Sequence, residues 1–154
     1  MNLAALVWYG ARICLVVMFP FSAIDKIWHW DNALAQTRSG QMPGAKTALV
    51  AKAMLVAAII IEGVTPVLIV AGLFDRVAAF VLAGFCVVTA FLYHPFWTYD
   101  DFWIAADTSK AREHFWQFLK NFGFAGGLGL VIFTGTMTPP RAVVDHSLRS
   151  PQSP

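Results

Sequence analysis

Four ionisable side chains interrupt runs of sequence that are otherwise fit for hydrocarbon: Arg12, Lys26, Glu62 and Lys120. A charge at the centre of a bilayer costs about 2.5–3.5 kcal/mol on insertion scales, so each must face protein, water or a partner. Acids and bases brought together in such a place can hold or transfer a proton. They can also hydrogen-bond a polar headgroup that arrives from the lipid. Arg12 and Glu62 are the central pair of candidates. Asp25, Lys26, His94, Lys120 and Asn121 form a second group nearer one end of the bundle.

Depth decides which of these can meet. If the first span enters at Leu3, Arg12 lies about 13 Å in at a rise of about 1.5 Å per residue. Counting back from Leu73 puts Glu62 about 16 Å from that same side. Two antiparallel neighbours would bring them level, and two lone buried charges favour each other, so the expectation is an Arg12–Glu62 ion pair. Arg12, Phe19, Ser22 and Lys26 fall within about 80° of one another on a helical wheel. Lys120 and Asn121 lie about 9–10 Å in from the opposite side. The predicted arrangement is a polar column. Arg12–Glu62 sits near the middle, and Asp25, Lys26, His94, Lys120 and Asn121 line a mouth. A purely structural clamp remains the alternative for the pair, and snorkelling to headgroups the alternative for both lysines.

Other chemistry finds less support. Cys14 and Cys86 sit at similar depth, which allows a redox pair, but buried cysteine commonly serves as a small apolar residue. There is no CxxC, no zinc spacing and no disulfide framework. No metal site is expected, and His94 and His114 read as residues at span ends. The net charge of +2 is small and not clustered, so no nucleic-acid partner is indicated.

The elements that must hold these residues are helices in a membrane. Of 154 residues, 58% are hydrophobic and 13% charged, against about 25% charged in a soluble domain. Mean hydropathy is +0.61. Four spans are expected, over about 3–28, 47–74, 77–93 and 114–137, giving an all-α integral membrane four-helix bundle in residues 1–137. Residues 138–154 read as a polar, disordered tail. A cleaved signal peptide fits the N-terminus badly, because no Lys or Arg precedes the apolar run and the run is too long. Pro20 should kink the first span by withholding an N–H from the Val16 carbonyl. Pro66 does the same to the carbonyl of Glu62.

Asp31 to Lys46 reads as a loop with room for a short interfacial helix before Gly40. Phe96 to Glu113 reads as a second loop on the same side, rich in aromatics and acids such as Trp97, Asp100, Asp101, Trp103 and Asp107. Gly123-x-x-x-Gly127 is a pattern that lets membrane helices approach closely. Basic residues lean toward the loop side, which points to loops in the cytoplasm and both termini outside.

The sequence resembles the DoxX family of small four-span bacterial membrane proteins, over about Gly10 to Gly135. The carrying pieces are Arg12, Ser22-Ala-Ile-Asp-Lys26, Glu62-Gly63, Val70-Ala-Gly-Leu-Phe-Asp-Arg76-Val-Ala-Ala79, His94, and Phe118-Leu-Lys-Asn-Phe-Gly-Phe-Ala-Gly-Gly127. Ser22 stands where the family often has glycine, and the loop from Pro95 to Glu113 is long and acidic. The resemblance implies an inner-membrane protein. It also implies a link to membrane redox chemistry, since the family name comes from a subunit of a thiosulfate:quinone oxidoreductase. Arg12, Lys26, Glu62, His94, Lys120 and Asn121 are the positions it brings forward.

Three functions are open at this stage. The first is a membrane subunit of a quinone-linked redox complex. In it Glu62, Arg12 and Lys26 would handle protons and polarity, and Asp25, His94, Lys120 and Asn121 would hold the headgroup. A quinone is then the one cofactor, and electrons come from a partner chain, because no haem-ligand pair or flavin motif is evident. The second is a non-catalytic anchor or assembly factor for a soluble redox partner, with the acidic loop as its dock. The third, a small transporter or proton path, is weakened by the lack of evident inverted repeats. Lipid is a partner in all three, with a protein partner or a second copy beside it.

Overall fold

The computed structural model describes residues 3–41, 44, 46–101 and 109–134. Six helices appear there, with no strand among the described residues: α1 (Leu3–Val16), α2 (Met18–Trp28), α3 (Trp30–Ser39), α4 (Ala48–Ala71), α5 (Asp75–Tyr93) and α6 (Lys110–Thr134). Residues 102–108, with Trp103 and Asp107, and the tail at 138–154 lie outside the described residues.

Three stretches are long and apolar enough to cross a membrane: Ala5–Trp28, Ala48–Ala71 and Asp75–Thr98. The fourth expected span begins four residues early, at Lys110, and is described to Thr134. It has the length of a span at 25 residues. Gln117, Lys120, Asn121 and four glycines dilute its apolarity, and it is not among the three.

Pro20 interrupts the first span as its chemistry requires. α1 ends at Val16, the residue whose carbonyl would have received the missing N–H. Val17 keeps helical angles and still donates to the Ile13 carbonyl at 2.8 Å, so the chain is broken in its ladder but not turned aside. Pro66, by contrast, is buried inside an uninterrupted α4.

α4 closes on a Schellman motif. The Gly72 N–H reaches the Ile69 carbonyl at 3.3 Å and the Leu73 N–H reaches Leu68 at 3.0 Å. Gly72 holds φ 70°, the left-handed angle that glycine adopts without strain. Two residues on, Phe74 is also left-handed (φ 50°), and this double reversal starts α5 at Asp75.

The main core joins Val16 and Phe19 to Ile69, Leu82, Cys86 and Leu128, so α1, α2, α4, α5 and α6 share it. α5 and α6 have the most extensive interface. α1 and α6 meet where Gly127 lies against Leu15: a Cβ there would be 2.7 Å from Leu15 Cδ1, so the end of Leu15 would have to shift. This is the close approach the glycine pattern predicts, made by Gly127 rather than Gly123. α3, the interfacial helix expected before Gly40, packs Ala33 and Leu34 on Ala51 and Leu55 of α4. Its end is pinned to α5: Gln41 N–H donates to the Leu92 carbonyl at 3.2 Å, and Gly40 lies under the Tyr93 ring.

Candidate functional site

The expected Arg12–Glu62 pair does not form. Arg12 pairs with Asp75 at 2.7 Å, and Glu62 pairs with Lys26 at 2.6 Å. The depth count set the two side by side, but the contacts show them offset: Arg12 meets Ile69, seven residues and about 10 Å further along α4 than Glu62, while Glu62 meets Ser22 and Lys26. α1 and α4 run in opposite directions, and side chains lean toward the N-terminus of their own helix, which carries the two further apart.

The Arg12 contact is enclosed. One guanidinium nitrogen donates to Asp75 Oδ2, a second donates to the Ile69 carbonyl at 2.6 Å, and the group lies 3.9 Å from the centre of the Trp8 ring. The Ile69 carbonyl, in the last turn of α4, shares its two lone pairs between Arg12 and the Gly72 N–H. Asp75 stands in the first turn of α5, where a carboxylate is favoured, and also accepts the Arg76 N–H at 2.9 Å. Both side chains are over 90% buried. Arg12 thus ties α1 to the end of α4 and the start of α5.

The Lys26 contact is open on one side. Its ammonium donates to Ser22 Oγ at 2.5 Å and to Glu62 Oε2 at 2.6 Å, and Ser22 in turn faces Glu62 Oε1 at 3.4 Å. An ammonium has three donors, so one N–H of Lys26 remains without a partner among the described residues. The Lys26 side chain is 22% exposed and that of Glu62 6%. The exposed part of Lys26 faces a cavity.

That cavity has a volume of about 710 Å³ and runs between α2, α3, α4, α5 and α6. Met18, Phe19, Leu55, Ile61, Phe85 and Phe124 supply apolar wall. Six of the seven residues singled out from the sequence line it: Asp25, Lys26, Glu62, His94, Lys120 and Asn121. Arg12 does not, and belongs to the clamp just described. Sequence reasoning passed over Asn32, Gln36 and Thr37 of α3, as well as Thr89, Tyr93 and Gln117, which also line it. For α3 the signal was present, since Asn32, Gln36 and Thr37 fall within about 140° of one another on a helical wheel. Asp75 and Trp8 were passed over as well, although Trp8 stands one helical turn before Arg12.

His94 is joined to a small network at the cavity's edge. Its Nδ1 lies 3.3 Å from Nδ1 of His114, and His114 Nε2 lies 3.2 Å from the Tyr99 hydroxyl. The Tyr99 and His114 rings are stacked, with centroids 5.0 Å apart. Below this network Asp101 starts α6. It accepts the N–H groups of Lys110 at 2.8 Å and Ala111 at 3.1 Å, and its own carbonyl accepts Ser109 Oγ. Desolvation pushes the Asp101 carboxyl up, but the hydrogen bonds it accepts, led by the Ala111 and Lys110 N–H groups, together outweigh it and hold the carboxyl below its ordinary value. The two cysteines are free. Cys14 is exposed and Cys86 is buried in the core, so they form no pair.

Apolar spanning helices threaded by buried ion pairs define a multi-pass membrane protein. The chain belongs to the DoxX family, whose model matches residues 7–95. The match takes in Arg12, Lys26, Glu62, Asp75 and His94, and stops before Lys120 and Asn121 of α6. No curated protein and no solved structure matches the chain.

Proposed function

We propose that this protein is the membrane subunit of a quinone-linked redox complex, and that the cavity holds the quinone headgroup. The observation that carries this reading is Lys26: a half-buried ammonium, neutralised by Glu62, that lines a cavity of about 710 Å³ and has one N–H without a partner among the described residues. A quinone headgroup is apolar at its faces and offers two carbonyl oxygens at its edge. Walls of Phe19, Ile61, Phe85 and Phe124 suit the faces, and the Lys26 ammonium suits an edge.

When bound, a quinone supplies two-electron, two-proton redox chemistry. Lys26 would hold the headgroup by one hydrogen bond from Nζ, while Glu62 fixes the ammonium and keeps the site neutral. Ser22 holds both in place. Glu62 Oε2 and Lys26 Nζ form one hydrogen-bonded unit that can hold a proton at either atom. Asn121 and Lys120 on α6, and Asp25 and His94 at the mouth, offer further polar atoms to the headgroup. Arg12 is removed from this role, since it does not line the cavity and pairs with Asp75 and Ile69 instead. Electrons would come from a partner chain. The reading takes α6 as a fourth span in the inner membrane, with the cavity mouth on the cytoplasmic side.

Purification from native membranes in mild detergent, followed by solvent extraction, tests this. Near-stoichiometric quinone is expected from the wild type. Glu62→Gln and Lys26→Ala should each lose it while retaining the folded bundle. Extracts with no quinone, or equal quinone in all three proteins, would refute the reading.

A further inference from the structure

The cavity has a neighbour on the outer face of the bundle. A shallow groove runs between α1 and α6, lined by Ala11, Cys14, Leu15, Lys120, Gly123 and Phe124. Lys120 and Phe124 also line the cavity, so one wall separates the two spaces. Phe124 packs edge to face on Phe19 at that wall, with ring centroids 5.4 Å apart. Helical periodicity continues the path: Ala11, Leu15, Ser22 and Lys26 recur at multiples of about 3.6 residues along one face of α1 and α2. Ser22 and Leu15 are about 10 Å apart along the axis, within reach of a medium-length alkyl chain.

We propose that this groove seats the apolar tail of the molecule whose head occupies the cavity. The site is then selective for a long-tailed amphiphile rather than a tailless one. This inference rests on the headgroup reading above and adds the direction in which the ligand leaves the site. The tail passes Phe124, between α1 and α6, and reaches the bilayer sideways. Lys120 lines both the cavity and the groove, where head and tail join. Gly123 keeps the groove open, since a Cβ there would meet nothing within 4 Å.

Two probes separate this inference from the reading beneath it. One is a fully substituted dimethoxybenzoquinone bearing only methyl groups. The other has the same head with one methyl replaced by a decyl chain that ends in a diazirine. Binding of the methyl compound to purified protein, read by tryptophan quenching and lost in Lys26→Ala, reports on the cavity. Photolysis of the second compound should place adducts at residues 11–15 and 123–124, mapped by peptide mass spectrometry. Excess methyl compound should suppress them at least fivefold. Gly123→Leu fills the groove, and should weaken the decyl compound at least threefold while leaving the methyl compound unchanged. If the methyl compound binds but adducts fall elsewhere, the groove is overturned and the headgroup reading stands. Adducts that persist under excess methyl compound mark ordinary lipid and also overturn the groove. If neither compound binds, both readings fall.

Discussion

Removing the Asp75 carboxylate should cost about as much as removing Arg12 itself, and the loss should be coupled to Arg12 alone. Breaking a buried pair from one side costs about 3–5 kcal/mol, because it strands a charge. Here the Ile69 carbonyl and the Trp8 ring remain with Arg12, so the lower end applies, and about 3 kcal/mol is expected for Asp75→Asn. At about 2–4 °C per kcal/mol for a chain of this size, the melting temperature should fall by about 6–12 °C. Arg12→Met should cost a similar amount, since it leaves Asp75 stranded. The double variant should then lose much less than the sum, with a coupling of about 2 kcal/mol. The assay is thermal unfolding in one detergent at one protein concentration, followed by tryptophan fluorescence. The companion cycle, Arg12→Met with Glu62→Gln, should be additive within about 0.5 kcal/mol. Additivity in the first cycle, or strong coupling in the second, would refute the assignment of partners and restore the pair expected from depth alone.

Three further outcomes follow from the same contacts. Ser22→Ala removes a hydroxyl that accepts from Lys26 and faces Glu62; thermal unfolding should show a loss of about 1 kcal/mol, and extracted quinone should fall without vanishing. Gly127→Ala should be nearly neutral because the atom it meets is a mobile end of Leu15, whereas Gly127→Phe should cost about 1–3 kcal/mol by forcing α1 from α6, again read by melting. Asp101 has its carboxyl held below the ordinary value in the folded state, so its contribution is full above the ordinary carboxylate range and is lost as pH falls through the lowered value. Amide exchange at Lys110 and Ala111 should stay protected near neutrality and become unprotected in acid. Asp101→Ala should show that loss at every pH.

Much of this architecture was legible because hydrophobic length and proline chemistry act locally. The break after Val16, the interfacial helix before Gly40 and the turn at Gly72 each follow from residues within a few positions. Family membership was legible for a related reason, since Arg12, the Ser22–Lys26 stretch and Glu62-Gly63 all fall inside the matched residues 7–95. The cavity residues were also within reach, because lysines, acids and amides in apolar helices have few places to go. The pairing was not. Counting rise per residue from assumed span ends gave Arg12 and Glu62 one height, yet Arg12 meets Ile69, about 10 Å along α4 from Glu62. How far one helix slides past another is not local to either, and together with the lean of each side chain it decides the partner. Asp75 also read as part of a turn, when it is the first residue of α5.

The choice of cation at each contact follows from what the contact must do. Arg12 meets a carboxylate and a backbone carbonyl at once, and also lies over an indole face. A planar fork with donors in fixed directions suits three such neighbours, and an ammonium would lose the geometry. Lys26 meets a hydroxyl and a carboxylate on one side and an open cavity on the other. A compact ammonium with rotatable donors can hold both neighbours and still turn one N–H toward a ligand. Exchange of the two should therefore be asymmetric. Arg12→Lys should unfold at a lower temperature and leave headgroup binding per folded molecule intact. Lys26→Arg should remain folded but lose binding, because the guanidinium would extend into the volume the headgroup needs. Quenching titrations on both variants beside their melting curves would decide it. A Lys26→Arg protein that binds the methyl quinone as well as the wild type does would show that Lys26 is a second clamp and not part of a site.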